Sequence, residues 1–259
     1  MSGLLLRLAG PLQSWGERSA FAAVRDTAPF PTRSALVGLF AAAEGIGRGD
    51  HGIDRYDDLA ITVRVDRPGL RLVDYHTVGG GLPKARTAAT SGGSNKGAAV
   101  VTRRHYLSDA VFVVAVSGPE ETVTRLADAL RRPHWAPYLG RRSCVPDEPF
   151  VLRSRIDDPE NELRTQVPLS LATPPGPGGD NDVTVPVEFL REQPPVGPAS
   201  PSADTVDIND RPVSFAQHGR SHGARRLYRS VEQLPAALTG PQSHLLERLI
   251  DYAQTEEHA

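Results

Sequence analysis

The sequence predicts an α+β protein built on a ferredoxin-like sandwich, with one antiparallel sheet and two helices on its face. Three observations carry this expectation. Leu4–Leu8 is a nearly continuous apolar run, as in a buried central strand. Ala35, Leu36, Leu39, Phe40 and Ala43 follow at helical spacing. A second strand–helix unit, Val111–Val116 and then a helix opened by Pro119, appears after a long interruption. With 259 residues, 39% hydrophobic and 23% charged, the chain has enough apolar material for a real core.

The first strand ends at Gly10-Pro11. Thr32 is placed to cap the first helix, and Gly45 and Gly47 to stop it. Ile61, Val63 and Val65 alternate with Thr62, Arg64 and Asp66, which predicts a half-buried strand. Pro68-Gly69 turns the chain into a further strand, Leu70–Thr77. Residues 78–102, rich in Gly, Ser, Thr and Ala, have no apolar period and read as an insertion. The second helix carries Val123, Leu126, Ala127 and Leu130 on one face, with glutamates at its start and Arg131-Arg132 before the terminating Pro133. Phe150–Leu152 and Thr184–Phe189 compete to close the sheet. Residues 168–201 hold nine Pro and four Gly and read as connection. Val213–Ala216 and Arg225–Val231 are weak strands, and Leu245, Leu246, Leu249, Ile250 and Ala253 mark a terminal amphipathic helix.

No apolar run is long enough to span a membrane, and the single cysteine, Cys144, excludes an internal disulfide. The chain is therefore expected to be soluble and cytoplasmic. Its net charge is only −2, yet all but two of the 29 basic residues are Arg. Residues 71–142 hold 11 basic and 5 acidic side chains, whereas residues 150–213 hold 5 and 11. Segregation of this kind suits an anionic ligand held by the middle of the chain.

Four clusters could hold such a ligand. Gln13, Ser14 and Trp15 follow the first strand with amides and a stacking face. Arg33 and Ser34 stand at a helix N-terminus, where a cation opposes the dipole unless an anion binds there. Tyr75 and His76 precede the insertion while Arg103, Arg104, His105 and Tyr106 follow it, so a projecting hairpin would bring them together at its base. Rings for stacking and guanidinium groups for phosphate are what single-stranded RNA requires. Arg141 and Arg142 come just after the second helix.

The segments LRLAGPLQSWG, RDTAPFPTRSALVGLFAAAEGI, DYHTV, RRHYLSDAVF and YLGRRSC, in this order, resemble the Cas-five family of CRISPR-associated proteins, within the RAMP superfamily. The resemblance is detailed over residues 1–146 and loose beyond. It implies a ferredoxin-like palm (1–77 and 103–235), an inserted thumb (78–102) carrying Lys84, Arg86 and Lys96, and a helical tail (236–259). It also implies a noncatalytic subunit of a type I-E Cascade complex that holds the 5′ handle of the guide RNA (crRNA) and caps the backbone. The implied partners are crRNA, the CasC backbone subunits and the large CasA subunit. No membrane, small-molecule substrate, cofactor or metal is expected.

A related subtype uses its Cas-five protein as a metal-independent endoribonuclease. His76, His105, Tyr75 and Arg104 could nominally supply the acid, base and cation for that reaction. A metal site at His218 and His222 is disfavoured by the two glycines around them. A plain interaction module of ferredoxin-like type is the remaining class.

Overall fold

The computed structural model describes residues 2–17, 23–49, 52–79, 83, 86, 99–171, 183–195, 203–216 and 219–255. Strand β1 (Ser2–Ala9) is apolar throughout except Ser2, Gly3 and Arg7, and it is buried along its whole length. It is followed by two short strands, β2 (Leu12–Gln13) and β3 (Val24–Arg25), and by helix α1 (Arg33–Ala43). Next come β4 (Ala60–Arg67), β5 (Leu70–Val78), β6 (Val100–Ser108), β7 (Val111–Gly118) and α2 (Glu120–Arg131). The last part contains β8 (Val151–Ile156), α3 (Pro159–Thr165), β9 (Thr184–Arg191), β10 (Asp204–Ser214), β11 (Ser221–Pro235) and α4 (Leu245–Gln254).

The main sheet has seven strands in the order β10-β11-β9-β4-β7-β1-β8. Its four strands β4-β7-β1-β8, with α1 and α2 as crossovers, are the ferredoxin-like arrangement expected from the sequence. Both competitors for the closing strand are strands. The first became β8 beside β1, and the second became β9, which extends the sheet beyond β4. Strands β5 and β6 leave this sheet as a separate hairpin, to which β2 and β3 attach along the free edge of β6.

One sheet face packs Leu4, Leu6, Leu8, Phe112 and Val114 against α1 and α2. Helix α1 ends as its glycine predicts. Gly45 adopts φ +76°, its N–H bonds Ala42 O, and the Ile46 N–H reaches back to Ala41 O. The opposite face packs Leu5, Val113, Ala115 and Phe189 under Leu163, Leu245, Leu249 and Tyr252.

That second covering layer corrects the reading of β4. Its polar residues do not face water: Arg64 is 0% exposed and Asp66 2%. Arg64 grips Asp66 through two bonds of 2.7 and 3.1 Å and donates to the carbonyls of Leu163, Val167 and Pro168. It thereby caps the C-terminal end of α3 from below. Helix α3 escaped sequence reading because its seven residues bury only Pro159 and Leu163. A start signal is nevertheless present: the Asp158 carboxylate accepts from the Asn161 N–H at 2.9 Å, with Pro159 just inside.

Strands β10 and β11 are much longer than the weak segments the sequence suggested, because β10 lies at an edge and buries only Ile208, Asp210 and Pro212. A buried charge ring fastens this edge to α1. Arg33 donates to Glu192 at 2.6 Å, Glu192 also accepts from Arg225 at 2.9 Å, and Arg225 holds Asp210 at 2.5 and 2.7 Å. Asp210 closes the ring by accepting the Arg33 backbone N–H at 2.7 Å.

Candidate nucleic-acid interface

The ring answers the question raised by Arg33 at a helix N-terminus. An anion does sit there, but it is the chain's own Asp210, with Glu192 on the guanidinium. Thr32 takes the cap position without a capping bond from its hydroxyl. Arg33 (5% exposed) and Ser34 (4%) are therefore interior. So are Gln13 and Trp15, both fully buried. Gln13 Nε2 donates to Leu8 O and Ala110 O, and Trp15 Nε1 donates to Gln13 Oε1 at 3.1 Å. Gln13 and Trp15 brace the corner after β1, while Arg33 is spent on Glu192 and the carbonyls of Leu59, Tyr56 and Asp57.

The hairpin strands run in register from Leu70↔Ser108 to Val78↔Val100. Directly opposed residues share a face, so Leu72, Asp74 and His76 align with Tyr106, Arg104 and Thr102 on one side. Val73 and Tyr75 align with His105 and Arg103 on the other. The expected convergence of all the rings and cations is thus divided in two. The cause is elementary: neighbours along a strand point to opposite faces. Arg103 lies over the Tyr75 ring at 5.4 Å on one face. On the other, Arg104 donates to the Thr102 hydroxyl at 3.2 Å, and Tyr106 is buried. Arg86 is exposed, while Lys84 and Lys96 lie outside the described residues.

The Arg104 face is where the palm adds its own cations. The guanidinium of Arg141 stacks 4.5 Å above the Tyr106 ring and donates to the Arg25 carbonyl at 3.3 Å. Arg25 lies directly beside Arg104 in the β3–β6 pairing. The loop carrying Arg141 and exposed Arg142 is closed by Leu139 N–H to Cys144 O and Cys144 N–H to Arg141 O. It is fixed to the palm by the Ser14 N–H on Leu139 O, while Ser14 Oγ donates to His105 O. Cys144 is buried, and burial pushes its thiol pKa up, so it is packing material and no nucleophile.

This seating depends on Gly140. Its φ is +85°, and a Cβ there would stand 1.7 Å from Ser14 O. Gly140→Ala is expected to cost more than the ~1–2 kcal/mol of left-handed backbone alone and to displace Arg141. A lower Tm together with weaker RNA binding would be the readout.

A further pair of cations, Arg48 and Arg220, lies within electrostatic reach of each other and of Tyr138 near the β10–β11 turn. Arg220 there lies 5.7 Å over the Phe215 ring. Its pKa falls below the ordinary guanidinium value through burial and then the neighbouring charge of Arg48, with Tyr138 acting the other way. Arg25 and Arg48 were not selected as site residues from sequence, because their neighbours in space lie far along the chain. The cations of Arg225-Arg226 are by contrast matched within the chain, Arg225 in the part-buried charge ring and Arg226 on the surface with Asp207. Among the described residues no group of three His, Cys, Asp or Glu could hold a metal, and His218 lies outside them.

A ferredoxin-like palm with a projecting hairpin and a cation-lined junction defines a palm-and-thumb protein of RAMP type. Residues 3–228 match the model of the family described as CRISPR-associated protein (Cas_Cas5). The chain is 39% identical over 184 residues to the CRISPR system Cascade subunit CasD of Escherichia coli (strain K12), covering 65% of this chain and 78% of that one. It also matches a chain of a solved CRISPR RNA-guided surveillance complex, with TM-score 0.83 and 48% identity over 97% of this chain and 99% of that one. A crystal structure of a Cas protein matches with TM-score 0.57 and 28% identity over 92% and 97% of the two chains. The chain belongs to the Cas-five family of CRISPR-associated proteins.

Proposed function

We propose that this chain is a guide-RNA-binding subunit of a CRISPR Cascade complex that grips the 5′ handle of crRNA, caps the CasC backbone near CasA, and does not cut RNA. The observation that carries this reading is the junction of palm and hairpin. Arg104, Arg141 and Arg142 make no ion pair with any described residue, whereas the interior arginines 33, 64, 191 and 225 are all matched to carboxylates. Unmatched forks beside a stacked tyrosine are suited to phosphates and bases. The likeness to a Cascade subunit and to a chain of an RNA-guided surveillance complex supports the same assignment.

The noncatalytic part is supported by the division of the hairpin faces. In-line cleavage needs acid, base and a charge-stabilising cation around one phosphate. His76 and Arg104 share one face, while His105 and Tyr75 belong to the other. Incubation of the purified chain with repeat RNA in EDTA should leave the RNA intact and shifted in a gel. A product ending in a cyclic phosphate would establish the endoribonuclease instead.

A further inference from the structure

Among the described residues, five buried side-chain polar atoms make no hydrogen bond, and three of them, Arg7 Nε, Arg67 Nε and Ser170 Oγ, belong to residues tied to Asp66 by charge, by chain adjacency or by a backbone hydrogen bond. Arg7 lies in β1 on the sheet face opposite α1 and α2, and is 7% exposed. Its pKa is lowered first by burial and also by Arg67, while Asp147 and Asp66 act in the opposite sense. Ser170 is 1% exposed and donates its backbone N–H to Asp66 Oδ2 at 2.8 Å. Arg67 pairs at 3.2 Å through Nη2 with Asp109, whose side chain is 73% exposed. Asp66 already accepts three hydrogen bonds, two from Arg64 and one from the Ser170 N–H, and accepts none from Arg7, Arg67 or the Ser170 hydroxyl. Arg7 Nε and Arg67 Nε are thus buried donors without an acceptor among the described residues, although Arg67 itself is 35% exposed and keeps Asp109.

Burying a cation without hydrogen bonds is costly, so such groups are normally matched. The geometry points to an anion site formed by Arg7, Arg67 and Ser170 at the root of the hairpin, on the far side of the sheet from α1 and α2, taking a phosphate-class oxyanion. The three unspent groups are the Nε–H of Arg7, the Nε–H of Arg67 and a hydroxyl free to donate, and guanidinium geometry favours phosphate. The phosphate can be inorganic or a phosphodiester of a bound strand. Because the site is probed first with phosphate alone, its fate is separate from that of the RNA-binding reading.

The test is thermal denaturation of the full chain in chloride, in millimolar inorganic phosphate and in acetate, at constant ionic strength. Wild type is expected to gain several degrees in phosphate only, as mass action on the folded state requires. Arg7→Met should abolish that gain while leaving the Tm in chloride equal or higher, because an unmatched buried cation is replaced by an apolar chain. Ser170→Ala, which removes only a hydroxyl, should lower the phosphate response and serves if Arg7→Met does not fold. Repeating the titration with RNA bound separates the sources: a lost phosphate effect assigns a phosphodiester, and a retained one assigns free phosphate. No phosphate effect in wild type, an equal effect in Arg7→Met, or an equal effect of acetate would overturn the site.

Discussion

Arg33→Ala is expected to lose about 3 kcal/mol of folding stability, the lower end of the range for breaking a buried ion pair from one side. The side chain has 6% exposure and that of Glu192 17%, so solvent screens the pair weakly. Four groups lose a donor at once: Glu192 and the carbonyls of Leu59, Tyr56 and Asp57. Arg225 remains on Glu192 and Asp210, which keeps the loss from being larger. Arg33→Lys should fall between, since it restores charge without the fork. Thermal melts measure the effect, and RNA affinity corrected for the folded fraction should be unchanged. A large affinity loss with an unaltered Tm would return Arg33 to the RNA site.

Arg141→Ala combined with Arg142→Ala should have the reverse signature. Arg141 rests on a ring face and donates to one carbonyl, so its removal leaves no buried carboxylate uncompensated. Stability should change by roughly 1 kcal/mol or less, the range of a partly exposed cation–π contact. Handle RNA binding should weaken by about 1–3 kcal/mol per lost charge-assisted contact. Fluorescence anisotropy with a labelled handle oligonucleotide reads this directly. Unchanged affinity would remove the loop from the interface.

The comparison between these two variants shows what was legible in the sequence. Apolar period and glycine punctuation gave β1, α1, β4, α2 and α4, because each sets a regular apolar row against the core, although β4 also buries its polar face. The basic and aromatic segments at the hairpin were also legible as chemistry. Their geometry was not, since the pleat divides Tyr75 from His76 and Arg103 from Arg104. Arg33 was misread because its partners, Glu192 and Asp210, stand 159 and 177 residues away in the chain. The same holds for Gln13 and Trp15, whose polar atoms are consumed by a fold corner that no local pattern reveals. The charge segregation is therefore of mixed origin. Part of the acidic segment is spent on interior arginines, while cations of the basic segment around the hairpin remain outward.

The measurement that tests the account most directly is the salt dependence of handle RNA binding, compared between wild type and the triple variant Arg104→Ala, Arg141→Ala, Arg142→Ala. Each lost phosphate contact to a single strand should flatten the plot of log affinity against log salt by about 0.7. Three contacts predict a slope shallower by roughly 2, with the Tm nearly unchanged. Parallel lines for the two proteins would mean that the strand is held elsewhere, and the junction of palm and hairpin would lose its role.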